Sequence, residues 1–231
     1  MGEEMDVLLY FDKSGKGAPL LLLHGNGDDH GFFRGQVARL SERFTVYAVD
    51  TRGHGQSPMG TKPFTLSQFA DDLKDFMEEQ SIEKAHLLGA SDGANIAMLF
   101  ALRYPNRVAS LVLNSGNLDP SGLDPAFLDE ITKRYEAVRT ADSEKMRREA
   151  GLLRLMLFEP QIAPDALSKI AAPTLVIAGD RDLIPAAHTR LVAAHIPNAK
   201  LVFLPGTHAV AEEDPQAFND AVSSFYDGIG A

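Results

Sequence analysis

The chain has 231 residues, 45% of them hydrophobic, which is enough to bury one large core, and α/β folds of this length commonly stay a single domain. The net charge is −10 and the 22 Lys and Arg are scattered rather than clustered; this argues against a nucleic-acid partner and favours a neutral or cationic small molecule over a strongly anionic one. With no cysteine, disulfides, thiolate metal sites and a cysteine nucleophile are excluded, while the redox compartment stays open.

The first residues, MGEEMDVLLYF, are acidic where a secretion signal is basic, and no apolar run approaches the roughly 18 residues needed to cross a bilayer. The expectation is a soluble, cytoplasmic protein with no membrane partner. Short apolar runs then recur: APLLLLHG (18–25), FTVYAVD (44–50), KAHLLGA (84–90), RVASLVLN (107–114), PTLVIAG (173–179) and AKLVFLPG (199–206). Nearly continuous apolar runs of this length suit strands buried on both faces of a parallel sheet. Between them, TLSQFADDLKDFMEEQ (65–80) sets Leu66, Phe69, Leu73, Phe76 and Met77 on one helical face, and Thr65 with Gln68 gives a capping-box start. Strand and helix in alternation predict an α/β fold with a doubly wound, mostly parallel sheet, whose ligands bind outside the carboxyl ends of the strands.

The alternation breaks at residues 116–172, where only charged helical segments such as AFLDEITKRYEAVRT and SEKMRREAGLLRLMLF occur. A structureless loop of that length is implausible in a compact domain, so the interval reads as a helical insertion and candidate lid. Its residues Leu152, Leu153, Leu155, Met156, Leu157 and Phe158 either line a site or fasten the lid down. No repeat or linker calls for a second domain, so residues 1–231 are expected to form one.

The residues just past each strand carry the chemistry. After Leu88 comes Gly89-Ala-Ser91-Asp-Gly93, a G-x-S-x-G pattern followed by the helix-like ANIAMLFALRYP. A serine exposed on a tight strand-to-helix turn needs small flanking residues, although a serine before a helix also serves as an ordinary N-cap. After Leu23 comes HGNG (24–27), which is either a plain turn or a loop whose backbone N–H groups face a developing oxyanion. The donors would then be the N–H groups of Asn26 and Asp92. After Ile177 comes AGDRD and after Leu204 comes PGTH. A serine hydroxyl needs a histidine to take its proton, and that histidine needs a carboxylate to fix its tautomer; Ser, Asp and His arrive in that order, each past a predicted strand.

At this point nearly the whole chain resembles the α/β-hydrolase family. HGNG resembles its oxyanion loop, DTRGHGQS (50–57) its D-x-R-G-H-G-x-S segment, GASDG (89–93) its nucleophile elbow, GDRD (179–182) its acid turn and GTH (206–208) its histidine turn. The resemblance implies Ser91 as nucleophile, His208 as base and Asp182 as acid, with the 116–172 insertion where the family places its cap. Asp180 and Asp119 are the other candidates for the acid. Family branches that open epoxides or displace halide resemble one another in using an elbow aspartate, so Ser91 points to acyl transfer instead.

The expected activity is cofactor-free hydrolysis of a small carboxylic ester through an acyl-enzyme. Aminoacyl-ester, thioester or C–C bond hydrolysis on the same triad, or a slow-turnover ligand receptor, are the alternatives, and the oligomeric state is left open. Of the other histidines, His24 and His54 read as structural, His86 as a packed core residue, and His188 and His195 as surface residues of a helix. His30 reads as pocket-lining or solvent-facing. Arg34 and Arg52 read as surface or structural charges, and no pair has the spacing of a metal site. Asp92 has two readings: an acidic residue favoured by the helix dipole, or a carboxylate facing the pocket to attract a substrate ammonium, as in some aminoacyl-ester hydrolases that resemble this chain in carrying S-D-G.

Overall fold

The computed structural model describes residues 5–231; the first acidic residues, 1–4, lie outside the described residues. Seven strands, β1 (Phe11–Gly15), β2 (Ala18–Leu23), β3 (Phe44–Val49), β4 (Ala85–Ala90), β5 (Val108–Asn114), β6 (Thr174–Gly179) and β7 (Ala199–Leu204), form one sheet in the order β1-β3-β2-β4-β5-β6-β7. All neighbours run parallel except β1, which pairs antiparallel with β3. The six apolar runs are β2 to β7. The first strand, FDKSG, gave no signal because it lies on the edge with Asp12 and Lys13 exposed, and charge on an edge strand discourages pairing with another chain.

The helices are α1 (Arg34–Leu40), α2 (Leu66–Glu79), α3 (Asp92–Arg103), α4 (Pro125–Val138), α5 (Glu144–Phe158), α6 (Ala186–His195), α7 (Val210–Glu213) and α8 (Pro215–Ile229). Alternate strand residues feed two cores. Leu21, Leu23, Leu87, Leu111 and Leu113 meet α2 and α3 on one face, and Leu20, Leu22, Leu88 and Val112 meet Phe33, Phe218, Val222 and Tyr226 on the other. A leucine buried this completely contributes about 1.5–3 kcal/mol. The period of two in the strands and of 3.6 in α2, whose five predicted face residues are all buried, thus produces a three-layer stack.

Thr65 caps α2 by accepting the Gln68 N–H at 3.1 Å, but the reciprocal half of the capping box is absent. The Gln68 amide instead donates to Asp72 at 3.0 Å, and the Leu66 N–H is taken by the Glu159 carboxylate at 2.7 Å. The reason is Arg52: fully buried, it donates from Nε and Nη2 to the two oxygens of Asp72, both at 2.6 Å, and from Nη1 to Asp6 and the Met59 carbonyl. Gln68 is thereby recruited to the same carboxylate.

Between β5 and β6 the chain forms α4 and α5, which pack on each other through Ile131, Val138 and Leu153 and reach Leu123 and Ile184 below. Leu155 belongs to the main core, whereas Phe158 is exposed. Among the described residues no helix is long and apolar enough to cross a membrane.

Candidate active site

Strand β4 ends directly beneath Ser91, which has φ 54° and ψ −119°, a left-handed value that a non-glycine residue adopts only when its surroundings impose it. The surroundings are identifiable. A Cβ on Gly89 would lie 2.2 Å from the Gly93 carbonyl oxygen, and one on Gly93 would lie 1.9 Å from that of Leu23. No side chain fits either position, so the two glycines let α3 start hard against β4 and β2. The Ser91 N–H donates to the Asn114 carbonyl at the end of β5 (2.8 Å), and its side chain makes no cap to α3. Ser91 thus holds the N-cap position through its backbone only, its hydroxyl is not spent on capping, and the residue lines a cavity.

That cavity, about 270 Å³ in volume, is lined on its floor by Gly25, Asn26, Ser91 and Asp92, on one wall by His208, and overhead by Leu123, Phe127 and Met156 from the insertion. Met156 is the one member of the leucine-rich α5 stretch that reaches it. The Ser91 hydroxyl makes no hydrogen bond to His208 among the described residues; the two side chains share the cavity, and such contacts commonly tighten only when substrate binds. His208 Nδ1 lies 2.7 Å from Asp182 Oδ1. Asp182 also accepts the Ile184 N–H at 2.9 Å and the Ser115 hydroxyl at 2.5 Å. Burial would raise the Asp182 pKa, but the contacts from His208, Ile184 and Ser115 outweigh it and hold the carboxyl below its ordinary value.

The other carboxylates are committed elsewhere. Asp180 accepts the Gly206 N–H at 3.0 Å and so staples the turn after β6 to the turn after β7, while Asp119 caps the 3-10 turn Pro120–Gly122. The glycines allow that staple: a Cβ on Gly179 would lie 2.2 Å from the Thr207 carbonyl oxygen. The two turns thus approach closely enough to bring Asp182 and His208 together.

Asn26 and Asp92 are joined. The Asn26 side-chain amide donates to Asp92 Oδ2 at 2.9 Å and to the Leu152 carbonyl of α5 at 3.0 Å. The backbone N–H groups of Asn26 and Asp92 make no backbone hydrogen bond among the described residues, and both residues line the cavity floor beside Ser91. Asp92 stands in the first turn of α3 and is among the residues that line the cavity, with its carboxylate buried and accepting from the side-chain amides of Asn26 and Asn95. Burial pushes its carboxyl up to about 6, against the lowering effect of hydrogen bonds from Asn26 and Asn95. Glu159 borders the same cavity, and burial raises its pKa despite the Leu66 N–H.

The remaining histidines lie outside the cavity lining. His24 accepts the Thr51 N–H at Nε2 and contacts its neighbour's carbonyl at Nδ1. His54 and His86 are buried and burial drives each down to about 4, so they are neutral at pH 7. His30 contacts Asp50 rather than the cavity. His188 departs from its surface reading: half-buried, it accepts the Leu118 N–H at Nε2 (3.0 Å) and is packed against Gly122. Sequence reasoning also missed Ser115, Glu159 and the Asn95–Asn117 pair that supports the Asp92 wall. Ser115 was open to discovery, because it too stands just past a strand end; the other two depend on how the insertion folds back.

The sequence profile of the alpha/beta hydrolase fold family matches residues 18–158. The chain belongs to that family. Among relatives of the hydrolase, a putative carbamate hydrolase, RutD, of Azorhizobium caulinodans is 28% identical over 95% of each chain. A pimeloyl-[acyl-carrier protein] methyl ester esterase of Aeromonas hydrophila is 28% identical over 93% of this chain and 97% of its own. The crystal structure of a hydrolase from Pseudomonas aeruginosa superposes with a TM-score of 0.81 at 28% identity, covering 97% of this chain and 94% of the other. These similarities make hydrolysis the activity class of this α/β hydrolase.

Proposed function

We propose that the protein is a cofactor-free serine hydrolase that cleaves small carboxylic esters through an acyl-enzyme, within a single domain whose 116–172 insertion acts as the lid. The observation that carries this reading is the Ser91 hydroxyl, forced by its left-handed backbone into a cavity that it shares with His208, itself 2.7 Å from Asp182. Ser91 Oγ attacks the ester carbonyl while His208 takes its proton. Asp182 holds the Nδ1–H tautomer and stabilises the imidazolium, and the N–H groups of Asn26 and Asp92 receive the oxyanion. His208 then returns the proton to the leaving alkoxide, and water repeats the sequence to release the acid. A cavity of about 270 Å³ limits the acyl or alcohol portion to a small group.

The relatives' named activities, on a methyl ester and a carbamate, fit this reading because both involve attack on a carbonyl. Ser91→Ala tests it: hydrolysis of short p-nitrophenyl esters and labelling by a fluorophosphonate should both disappear while the thermal melt stays cooperative. Retained turnover in the variant would remove Ser91 from the mechanism. Detectable labelling without repeated turnover in the wild type would favour the receptor alternative instead.

A further inference from the structure

Three consecutive strand ends carry an unbroken chain of contacts. At β4 the Ser91 N–H donates to the Asn114 carbonyl, and at β5 the Asn114 side-chain amide donates to Ser115 Oγ at 2.7 Å. The Ser115 hydroxyl in turn donates to Asp182 Oδ2, past β6, at 2.5 Å, and Asp182 Oδ1 faces His208. Ser115 is 2% exposed and has φ 55°, a left-handed value like that of Ser91. Its backbone is fixed there by the N–H bond to the Ile177 carbonyl at 3.0 Å. Glycine would suit that conformation better, so the side chain present is one the backbone alone does not favour.

We propose that Ser115 is a positioning residue for the acid: its hydroxyl occupies Asp182 Oδ2 and thereby leaves Oδ1 as the oxygen offered to His208. The proposal rests on the Ser-His-Asp reading above. Asp182 Oδ1 already accepts the Ile184 N–H, so rotation of the carboxylate is restrained from both sides. The hydroxyl also withdraws charge from the carboxylate, which limits how strongly Asp182 stabilises the imidazolium of His208. The charged groups that share the cavity with His208 are Asp28, Asp92, Glu159 and Glu212. Arg181 and Asp180 stand on the turn after β6, and Glu213 holds Thr207 next to His208. None of these is altered by changes at Ser115.

Ser115→Gly keeps the left-handed backbone and removes the hydroxyl, and Ser115→Ala removes the hydroxyl while keeping Cβ. Loss of one hydrogen bond to a charged group should lower kcat on a p-nitrophenyl ester by about 10- to 100-fold in both, with KM changed much less. The acidic limb of kcat/KM should move to higher pH by about half a unit or more, because an uncompensated carboxylate favours the charged imidazole. In an Asp182→Asn background the Ser115→Gly change should have almost no further effect. Wild-type kcat and pH profile in Ser115→Gly, or full additivity with Asp182→Asn, would overturn the proposal. Activity retained in Ser91→Ala would instead overturn the serine-hydrolase reading beneath it, so the two failures are distinguishable.

Discussion

Asp92→Asn offers a test in which the direction and size of the effect come from one buried carboxyl. The residue is 8% exposed, and burial raises its pKa from 3.8 to about 6. A folded-state pKa above the unfolded value means that the associated stability is fully present below the unfolded pKa and is lost as pH rises through about 6. The difference of roughly two units corresponds to about 3 kcal/mol at ~1.36 kcal/mol per unit. The charged form should therefore cost the native state on the order of 2–3 kcal/mol at about pH 8. The asparagine in the variant keeps an oxygen that can accept from Asn26 but carries no charge. Guanidinium unfolding of both proteins at about pH 4 and pH 8 isolates the term, since all other titrating groups cancel in the comparison. The variant should gain about 2–3 kcal/mol on the wild type between those pH values. A difference that stays flat across that range would refute the argument that the buried charge is the cost.

Asp182→Asn should lower kcat by about 10⁴-fold, as expected when the base loses its orienting carboxylate. Asp180→Asn should leave kcat within about tenfold and act mainly on thermal stability through the Gly206 staple; steady-state kinetics on one ester decides between the two aspartates. Arg52→Ala would leave Asp72 buried without its partner and should cost about 3–5 kcal/mol in denaturant unfolding, a loss that Arg52→Lys should recover only partly because a single nitrogen cannot reproduce the planar fork that bonds Asp72 side-on while reaching Asp6 and the Met59 carbonyl.

What could be read from the sequence was whatever the backbone imposes locally. Apolar runs marked the six parallel strands, and the residues after four of them include Asn26, Ser91, Asp182 and His208, on which the proposed mechanism rests. The edge strand escaped because an exposed strand of charged residues has no apolar run. The Gln68 half of the capping box was misread because Arg52, which precedes the helix, organises Asp72 and draws the amide away. His188 looked like a surface residue because the segment that covers it, around Leu118 and Gly122, belongs to the insertion. Distant partners of this kind leave no periodic trace. Ser115 is different: the rule that located the other site residues applied to it equally, but a serine beside Asn114 gives no hint of the carboxylate it meets 67 residues later.

The sheet order also bears on how the site fails. Ser91 hangs from the centre of the sheet, between β2 and β5, whereas His208 hangs from β7, an edge strand whose residues are mostly half-exposed. Edges open before centres, because fewer buried contacts hold them. On gentle heating or in low denaturant, β7 should detach while β2, β4 and β5 remain paired, taking His208 away from an intact Ser91. With His208 as the base proposed above, loss of turnover would then precede loss of secondary structure, and activity would report on the docking of a single outer strand rather than on the fold as a whole.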